Sequence, residues 1–371
     1  MKILSLSNYF PEHHGGIEFV ALNLVTRWRK NNQVRWMACD VHDRPHQAMP
    51  DDVPLAAINF TEERLGFPYP IPLPVEIWRI FEQVRWAEVV HLHDCLYMAN
   101  AIAALAARFY QKPLVVTQHI GLVPYSQNYK NHLQNLAYHT LGKSILQAAQ
   151  QVVFISQKTK EWFEQRFPFS KPPLVIPNGV DSTLFYPADT TERETTRQSL
   201  DLRHNQNVLL FVGRFTHKKG IEKIQPLAEK YPDWLWICVG DGEIRPERWG
   251  LPNVRVVPAL PQSDLRTYYI AADLFFLPSV GEGFPLAAQE ALSCGLPAAL
   301  DHATASAFPD APVLRFDASH LHNIAFELER YFNNPLVSAH LKRASTEYAQ
   351  RWNWDITALR YEEIFSSHVK T

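Results

Sequence analysis

Short apolar runs recur along this chain, each followed by a stretch long enough for a helix, and the pattern is laid down twice. Ile3–Leu6, Val89–Leu92, Leu114–Val116 and Val152–Ile155 mark the first half, and Val208–Val212, Leu235–Val239, Val254–Val257 and Leu274–Leu277 mark the second. Each is apolar almost throughout, where a strand with one wet face would alternate. Such runs suit parallel strands covered by helices on both faces. Parallel strands need crossover connections, and helical stretches such as Glu18–Lys30 and Asn100–Tyr110 lie between the runs to supply them. The pattern predicts an α/β chain of βαβ units, assembled twice over.

A length of 371 residues suits two domains of ordinary size. Ser170-Lys171-Pro172-Pro173 precedes a strand-like Leu174-Val175-Ile176, and the polar stretch 189–207 reads as a surface connection. The expected division is therefore 1–172 and 173–352. With 46% hydrophobic and 20% charged residues, the chain can bury two cores. The net charge of −2 gives no long-range pull toward nucleic acid. Residues 1–187 hold 17 Lys+Arg against 15 Asp+Glu, so a slightly basic first half tolerates an anionic acceptor. The four cysteines, Cys39, Cys95, Cys238 and Cys294, stand singly, without metal-site spacing or a disulfide framework. Cys238, inside an apolar run, reads as a buried reduced thiol. Met1-Lys2-Ile3-Leu4-Ser5-Leu6 has none of the layout of a signal peptide, and no apolar stretch reaches the roughly 20 residues of a membrane span. These features lead us to expect a soluble cytoplasmic protein, peripheral to a membrane at most.

Chemistry-bearing residues gather at predicted strand ends. Glu282-Gly-Phe-Pro-Leu-Ala-Ala-Gln-Glu290 follows one strand and is expected to open a helix running to about Ser293, with Gly295 as its stop. On one helix the two carboxylates would be separated by about 12 Å of rise, too far to share a proton. They suit the two ends of an extended ligand lying over a helix N-terminus, where free N–H groups and the dipole favour a diphosphate. An acid-start helix with Glu290 on a wet face is the plainer reading. Phe211-Val212-Gly213-Arg214-Phe215-Thr216-His217-Lys218-Lys219-Gly220 places Arg214 and Lys219 after a strand-ending glycine, where open α/β sheets bind ligands. Fixed positive charge there would neutralise a departing diphosphate. Gly15-Gly16 follows the first strand and permits close backbone approach, or simply a turn. His91 and His93 alternate, so both imidazoles point to one side of a strand.

Taken together, these motifs resemble those of the retaining glycosyltransferase family 4, over nearly the whole chain and in the same order. The resemblance implies the GT-B fold, two Rossmann-like doubly wound domains facing across a cleft. It implies that Arg214 and Lys219 hold the donor diphosphate, that Glu290 binds the ribose hydroxyls, and that Glu282 contacts hydroxyls of the transferred sugar. The amides at Phe284 and Leu286 would meet sugar and phosphate oxygens, and the glycine loop Gly15-Gly16 would approach the donor phosphate and the acceptor. Gly240-Asp241-Gly242 looks like the family's G-x-G turn. His119, after Thr117-Gln118, corresponds to a histidine close to the transferred sugar; a structural histidine is the alternative. Asn178-Gly179-Val180-Asp181 matches the family's crossover signature and reads as a shaped turn. No bound metal is expected, and His91/His93 are read as a histidine-rich strand end rather than a metal site. The tail 353–371 resembles the family's final helix returning to the first domain.

The function so implied is transfer of a hexose, with mannose from GDP-mannose as the first guess by family analogy, to a hydroxyl of a glycan or lipid-linked oligosaccharide. A UDP-hexose donor is the alternative; an epimerase of sugar nucleotides and a silent sugar-nucleotide-binding protein are the rivals from other classes. Catalysis would fall to Arg214, Lys219, Glu282 and His119, with the nucleotide sugar as co-substrate and no cofactor. Arg27-Trp28-Arg29-Lys30 and Arg35-Trp36 admit peripheral contact with the inner membrane, but helix ends and core tryptophans explain them equally well.

Overall fold

The computed structural model describes residues 1–13, 15–41, 49–60, 69–122, 128–279 and 282–369. It divides into two units: residues 1–179 with 354–371, and residues 180–353. The first holds strands β1 (Lys2–Tyr9), β2 (Gln33–Asp40), β3 (Asp52–Ile58), β4 (Ile71–Pro72), β5 (Val89–His93), β6 (Leu114–Gln118), β7 (Gln151–Phe154) and β8 (Leu174–Val175). They form one sheet in the order β4-β3-β2-β1-β5-β6-β7-β8, parallel except where β4 meets β3. β1 sits between β2 and β5, so the sheet is wound both ways from its first strand. One face packs Leu4, Leu6, Val90, Leu92, Val116 and Phe154 against Ile80, Val84, Ala103, Ala107, Ile145 and Phe163 of the covering helices. Helix Met98–Phe109 is rich in alanine on its buried side, which lets it lie close to the strands.

The opposite face is covered partly by helix Gly16–Trp28 and partly by Trp354–His368. Trp28 is fully buried between them; its ring meets Tyr361 and Phe365 edge-on, and its indole N–H donates to the Ala358 carbonyl at 3.1 Å. Trp36 is equally buried and donates to Ser7 Oγ at 2.8 Å. Arg27 pairs with Asp355 at 3.0 Å and Arg29 with Asp52 at 2.7 Å. These residues are therefore core and helix-anchoring groups, and the membrane reading of Trp28 and Trp36 is corrected.

The second unit carries β9 (Val208–Val212), β10 (Leu235–Val239), β11 (Val254–Val257), β12 (Leu274–Leu277), β13 (Ala298–Asp301) and β14 (Leu314–Phe316), all parallel in the order β11-β10-β9-β12-β13-β14. Cys238 is buried on β10, and burial raises its pKa well above that of a free thiol. Two boundaries differ from expectation. Leu174–Val175 pairs with Val153–Phe154, so the strand placed at the head of the second domain is the edge of the first sheet, and the division falls at Gly179/Val180 rather than 172/173. Within 189–207, Thr190–Ser199 is a helix and not a bare connection. Asp189 caps it by accepting from the Glu192 N–H at 2.8 Å. Arg193 and Arg197 then dock it on the carbonyl-rich end of helix Gln262–Ala271, Arg197 donating to the Ala271 carbonyl at 2.7 Å. No described helix is long and apolar enough to cross a membrane.

Candidate active site

In the second unit β9 and β12 lie side by side, although β10 and β11 come between them in the chain. Connections leaving their carboxyl ends diverge to opposite sides, which opens a crevice at that edge. The loop after β9 begins at Gly213 and turns through Gly220, whose φ of 72° is left-handed. A Cβ on Gly220 would lie 2.7 Å from the Pro278 carbonyl oxygen, in the loop after β12. At the end of β10, a Cβ on Gly240 would lie 2.0 Å from the Gly213 carbonyl oxygen. Three strand ends are thus pressed together backbone to backbone, where no side chain fits.

That pressing brings opposite charges together. Lys219 Nζ lies 3.0 Å from Glu282 Oε1, and Ser279 Oγ donates to the same oxygen at 2.7 Å. Ser279 is held in turn by Thr304, whose hydroxyl donates to the Ser279 carbonyl at 2.5 Å. Burial alone would raise the Glu282 pKa, but Lys219, Lys218 and the Ser279 bond outweigh it and hold it at about 2. Burial lowers the Lys218 pKa; Glu282 opposes that, while Lys219 and Arg214 add to it. Arg214 itself is exposed. Two cations, Lys218 and Lys219, therefore act on one ionised carboxylate, with Arg214 within electrostatic reach of Lys218, and the surplus is positive, which is what a diphosphate requires.

The segment from Glu282 to Glu290 corrects one expectation. The helix spans Leu286–Ser293, with Pro285 as its extended N-cap at φ −68°, ψ 119°. Proline biases the residue before it away from helical geometry, so Glu282 belongs to the loop and the 12 Å helical rise does not apply to the pair. Phe284 turns its ring inward, stacked on Phe308 at 4.5 Å and edge-on to Trp352 at 5.7 Å. Its side chain anchors the loop, and what remains for a ligand is its backbone. Leu286 opens the helix, where N–H groups lack intrahelical partners. Glu290 is buried about one turn into that helix; Gln262 donates to Oε1 at 2.6 Å and Tyr269 to Oε2 at 2.8 Å. Burial raises its pKa to about 7, against the pull of those two donors. The solvated-face alternative for Glu290 fails on this burial.

In the first unit, Gly15 caps and Gly16 opens helix Gly16–Trp28. Neither needs a left-handed φ. Gly15 makes room for Glu18, whose carboxylate oxygen would lie 1.9 Å from an added Cβ, whereas a Cβ on Gly16 would meet nothing within 4 Å. His119 follows β6 and is buried, its Nε2 3.0 Å from His93 Nδ1 with the rings 5.2 Å apart and nearly parallel. His91, on the same side of β5 as His93, bonds Thr117 Oγ1 at 2.8 Å, and Thr117 bonds the Tyr361 hydroxyl at 2.9 Å. Burial lowers the pKa of His91 to about 3, that of His119 to about 3, and that of His93 well below its ordinary value. The row is neutral and linked sideways. Among the described residues, no group of three His, Cys, Asp or Glu side chains is placed to hold a metal ion. Beside it Asp94 takes a left-handed φ of 76°, bonded to the Leu96 N–H at 3.1 Å and to Gln118 at 2.9 Å. Burial raises its pKa to about 6, partly offset by those bonds. The crossover turn is shaped by Asp181, which accepts from the Thr183 N–H at 2.9 Å.

The structure thus gathers Arg214, Lys219 and Glu282 at one crevice, with Glu290, Phe284 and Leu286 on the element that leaves it. Gly15, Gly16 and His119 belong to the other unit. His93 entered the sequence reading only as part of a histidine-rich strand end, and Lys218, Ser279, Thr304, Gln262 and Tyr269 were passed over. Lys218 was legible as a neighbour of Lys219; the others are ordinary polar residues that only packing singles out.

Residues 14–184 match the model of Glycosyltransferase Family 4, and residues 192–302 match that of Glycosyl transferases group 1. The teichuronic acid biosynthesis glycosyltransferase TuaC of Bacillus subtilis is 29% identical over 213 residues, 57% of this chain and 52% of its own, so the match spans about half of that relative. Alpha-maltose-1-phosphate synthase of Mycolicibacterium smegmatis is 26% identical over 313 residues, covering 77% of this chain and 76% of that one. Among solved structures, HepE of Anabaena in complex with UDP superposes with a TM-score of 0.79 over 99% of this chain and 100% of that chain, at 19% identity, a likeness that carries the fold. With two parallel-sheet α/β units of GT-B type, and with both halves matched, the chain belongs to the family 4, group 1 glycosyltransferases.

Proposed function

We propose that the chain transfers a hexosyl group from a nucleoside-diphosphate sugar to a hydroxyl of a glycan or lipid-linked oligosaccharide, with the anomeric configuration retained. The observation that carries this reading is the cationic loop Arg214–Lys219, with Lys218 and Lys219 acting on ionised Glu282 and Arg214 near Lys218, at the strand ends where β9 and β12 part. The bond from C1 to the diphosphate oxygen breaks heterolytically, and its electron pair stays on the phosphate. Arg214 and Lys219 stabilise that growing charge, with the first amides of helix Leu286–Ser293 assisting. The acceptor oxygen bonds C1 on the face the diphosphate leaves, and its proton passes to the departing phosphate oxygen. Glu282, fixed by Lys219 and Ser279, accepts a hydroxyl of the sugar, and Glu290 accepts those of the ribose. GDP-mannose is the first candidate donor. A UDP-hexose is the second reading, favoured by HepE, whose solved complexes contain UDP and UDP-glucose.

Thermal unfolding against GDP-, UDP-, ADP- and TDP-sugars tests this first. A donor at 100 times its Kd stabilises the fold by about 2.7 kcal/mol. One nucleotide sugar should shift the midpoint, and nucleotide release should then depend on an acceptor. Arg214→Ala and Lys219→Ala should each lower turnover about 10²–10³-fold, as losses of preorganised charge do. Silence across the panel by a folded chain, or full turnover by Arg214→Ala, would sink the reading.

A further inference from the structure

His91 and His93 alternate along β5, and Thr117 and His119 stand two apart at the end of β6. The strands pair in the register His91↔Val115 and His93↔Thr117. Each histidine of β5 therefore meets, two residues further along the neighbouring chain, a polar side chain on its own side of the sheet. His91 reaches the Thr117 hydroxyl in this way, and His93 Nδ1 reaches His119 Nε2 at 3.0 Å. The backbone of both strand ends is clamped. Asn100 Nδ2 donates to the carbonyls of His93 and Asp94 at 2.7 and 2.8 Å, and the Asp94 N–H donates to the Thr117 carbonyl at 2.8 Å. Gln118 accepts from the Cys95 N–H at 3.1 Å and donates to the Ile120 carbonyl at 2.7 Å. With both rings held in place, what is left to set is where each carries its proton.

Both imidazoles are buried and neutral, so each has one N–H donor and one bare acceptor nitrogen. The bond between them admits two arrangements. Either His93 Nδ1–H donates to His119 Nε2, or His119 Nε2–H donates to His93 Nδ1. His93 Nε2 decides between them. That atom is buried and has no hydrogen-bond partner among the described residues. In the second arrangement it is an N–H without an acceptor; in the first it is a bare nitrogen. Buried N–H groups without an acceptor are the rarer kind of orphan, which selects the first. His119 then keeps its proton on Nδ1. An unpartnered nitrogen in the interior is destabilising, and an apolar side chain at position 93 would avoid it. A histidine that only filled the core gains nothing from that nitrogen. What this one supplies is the bond to His119.

We propose, resting on the reading that His119 stands close to the transferred sugar, that His93 is a positioning residue. Its Nδ1–H holds His119 in the tautomer protonated at Nδ1, and that N–H donates to a hydroxyl oxygen of the sugar substrate. Without His93 the proton of His119 divides between its two nitrogens, and part of the enzyme offers the sugar a bare nitrogen where a donor is needed.

Two-bond nitrogen–proton correlation NMR on the full chain with isotope-labelled histidine reads the tautomer, with His119 assigned as the signals missing from His119→Leu. The parent should show His119 protonated at Nδ1 alone, and His93→Leu should move part of that proton to Nε2. Turnover is read as nucleotide release from GDP-mannose, or from UDP-glucose where that is the sugar that shifts the unfolding midpoint. His93→Leu should lower kcat/KM about tenfold, the scale of one hydrogen bond. His93→Asn, which restores an N–H near the place of Nδ1, should recover most of that loss, as a mere filling role would not allow. An Nε2–H on His119 in the parent, an unchanged tautomer in His93→Leu, or full turnover by His93→Leu would overturn the proposal. Full turnover by His119→Leu would remove His119 from the sugar, and the proposal with it. A parent that releases no nucleotide from any sugar sinks the function proposed above; the tautomer, read without substrate, still decides whether His93 sets the proton of His119.

Discussion

Glu282 and Glu290 stand close in sequence and are held in opposite states. Glu282 stays ionised, because Lys219 and Lys218 outweigh its burial; Glu290 has only the neutral donors Gln262 and Tyr269, and burial raises its pKa from 4.5 to about 7. A carboxyl that binds its proton more tightly when folded stabilises fully below the unfolded pKa, and that contribution is lost as pH rises toward 7. A displacement of that size corresponds to roughly 3 kcal/mol. Urea unfolding at pH 5 and pH 8 should therefore show the parent losing stability relative to Glu290→Gln over this interval. His91 and His119, with lowered pKa values, contribute in the opposite direction to both proteins and cancel in the comparison. Equal pH dependence in the two would remove the buried, protonated Glu290. Part of this was legible beforehand. Arg214, Lys219 and Glu282 announce themselves as charges beside glycines at strand ends. Tyr269, in the apolar-looking Tyr268-Tyr269-Ile270-Ala271, reads as core, and nothing in the sequence says that its hydroxyl ends on Glu290.

Among the elements, the runs apolar throughout were legible as strands, since burial on both faces leaves that trace. Gln33–Asp40 was missed because Gln33, Arg35 and Asp40 break its run, and Asp52–Ile58 because Pro54 reads as a strand breaker. Ile71–Pro72, Ala298–Asp301 and Leu314–Phe316 are too short to register. Helix Thr190–Ser199 was missed because it lacks large apolar residues; two arginines dock it instead. The glycines marked turns in sequence, but only the packing separates those that lock the crevice from those that do not. Gly220→Ala places a Cβ 2.7 Å from a backbone oxygen at φ 72°, a strain of about 1–2 kcal/mol before any clash. It should lower the unfolding midpoint and weaken donor binding together, by displacing Lys219. Gly16→Ala meets nothing within 4 Å and should leave stability unchanged or raise it by up to about 1 kcal/mol. If the donor approaches that backbone, its turnover should still fall at least tenfold. Full activity in Gly16→Ala would remove the glycine from the site.

At the scale of the molecule, the twofold repetition of strand and helix predicted two units, and two are present, but their seam lay beyond sequence reading. Ser170-Lys171-Pro172-Pro173 looks like a linker, yet the chain still adds Leu174–Val175 to the first sheet before leaving it. The first unit also reclaims the chain's end. Tyr361 and Phe365 close over Trp28 and His91, and each aromatic ring buries enough surface for about 4 kcal/mol at 25 cal/mol per Å². Two such rings are comparable with the whole net stability of a domain, 5–15 kcal/mol. A chain stopped after Asn353 should lose amide protection in β1, β5 and helix Gly16–Trp28 by hydrogen exchange, while β9 and β12 keep theirs. Undiminished protection in the first sheet would show the last helix to be an accessory. The same arrangement sets an order of events on the ribosome. The first unit to emerge is the last to be finished, because its closing helix is made only after residues 180–353. At 5–20 residues per second that interval is roughly 10–35 s. Throughout it Trp28 and the His91 side of the sheet lack their cover. A nascent chain of this family member is thus exposed to premature collapse, or to capture by a chaperone, for as long as its second half takes to synthesise.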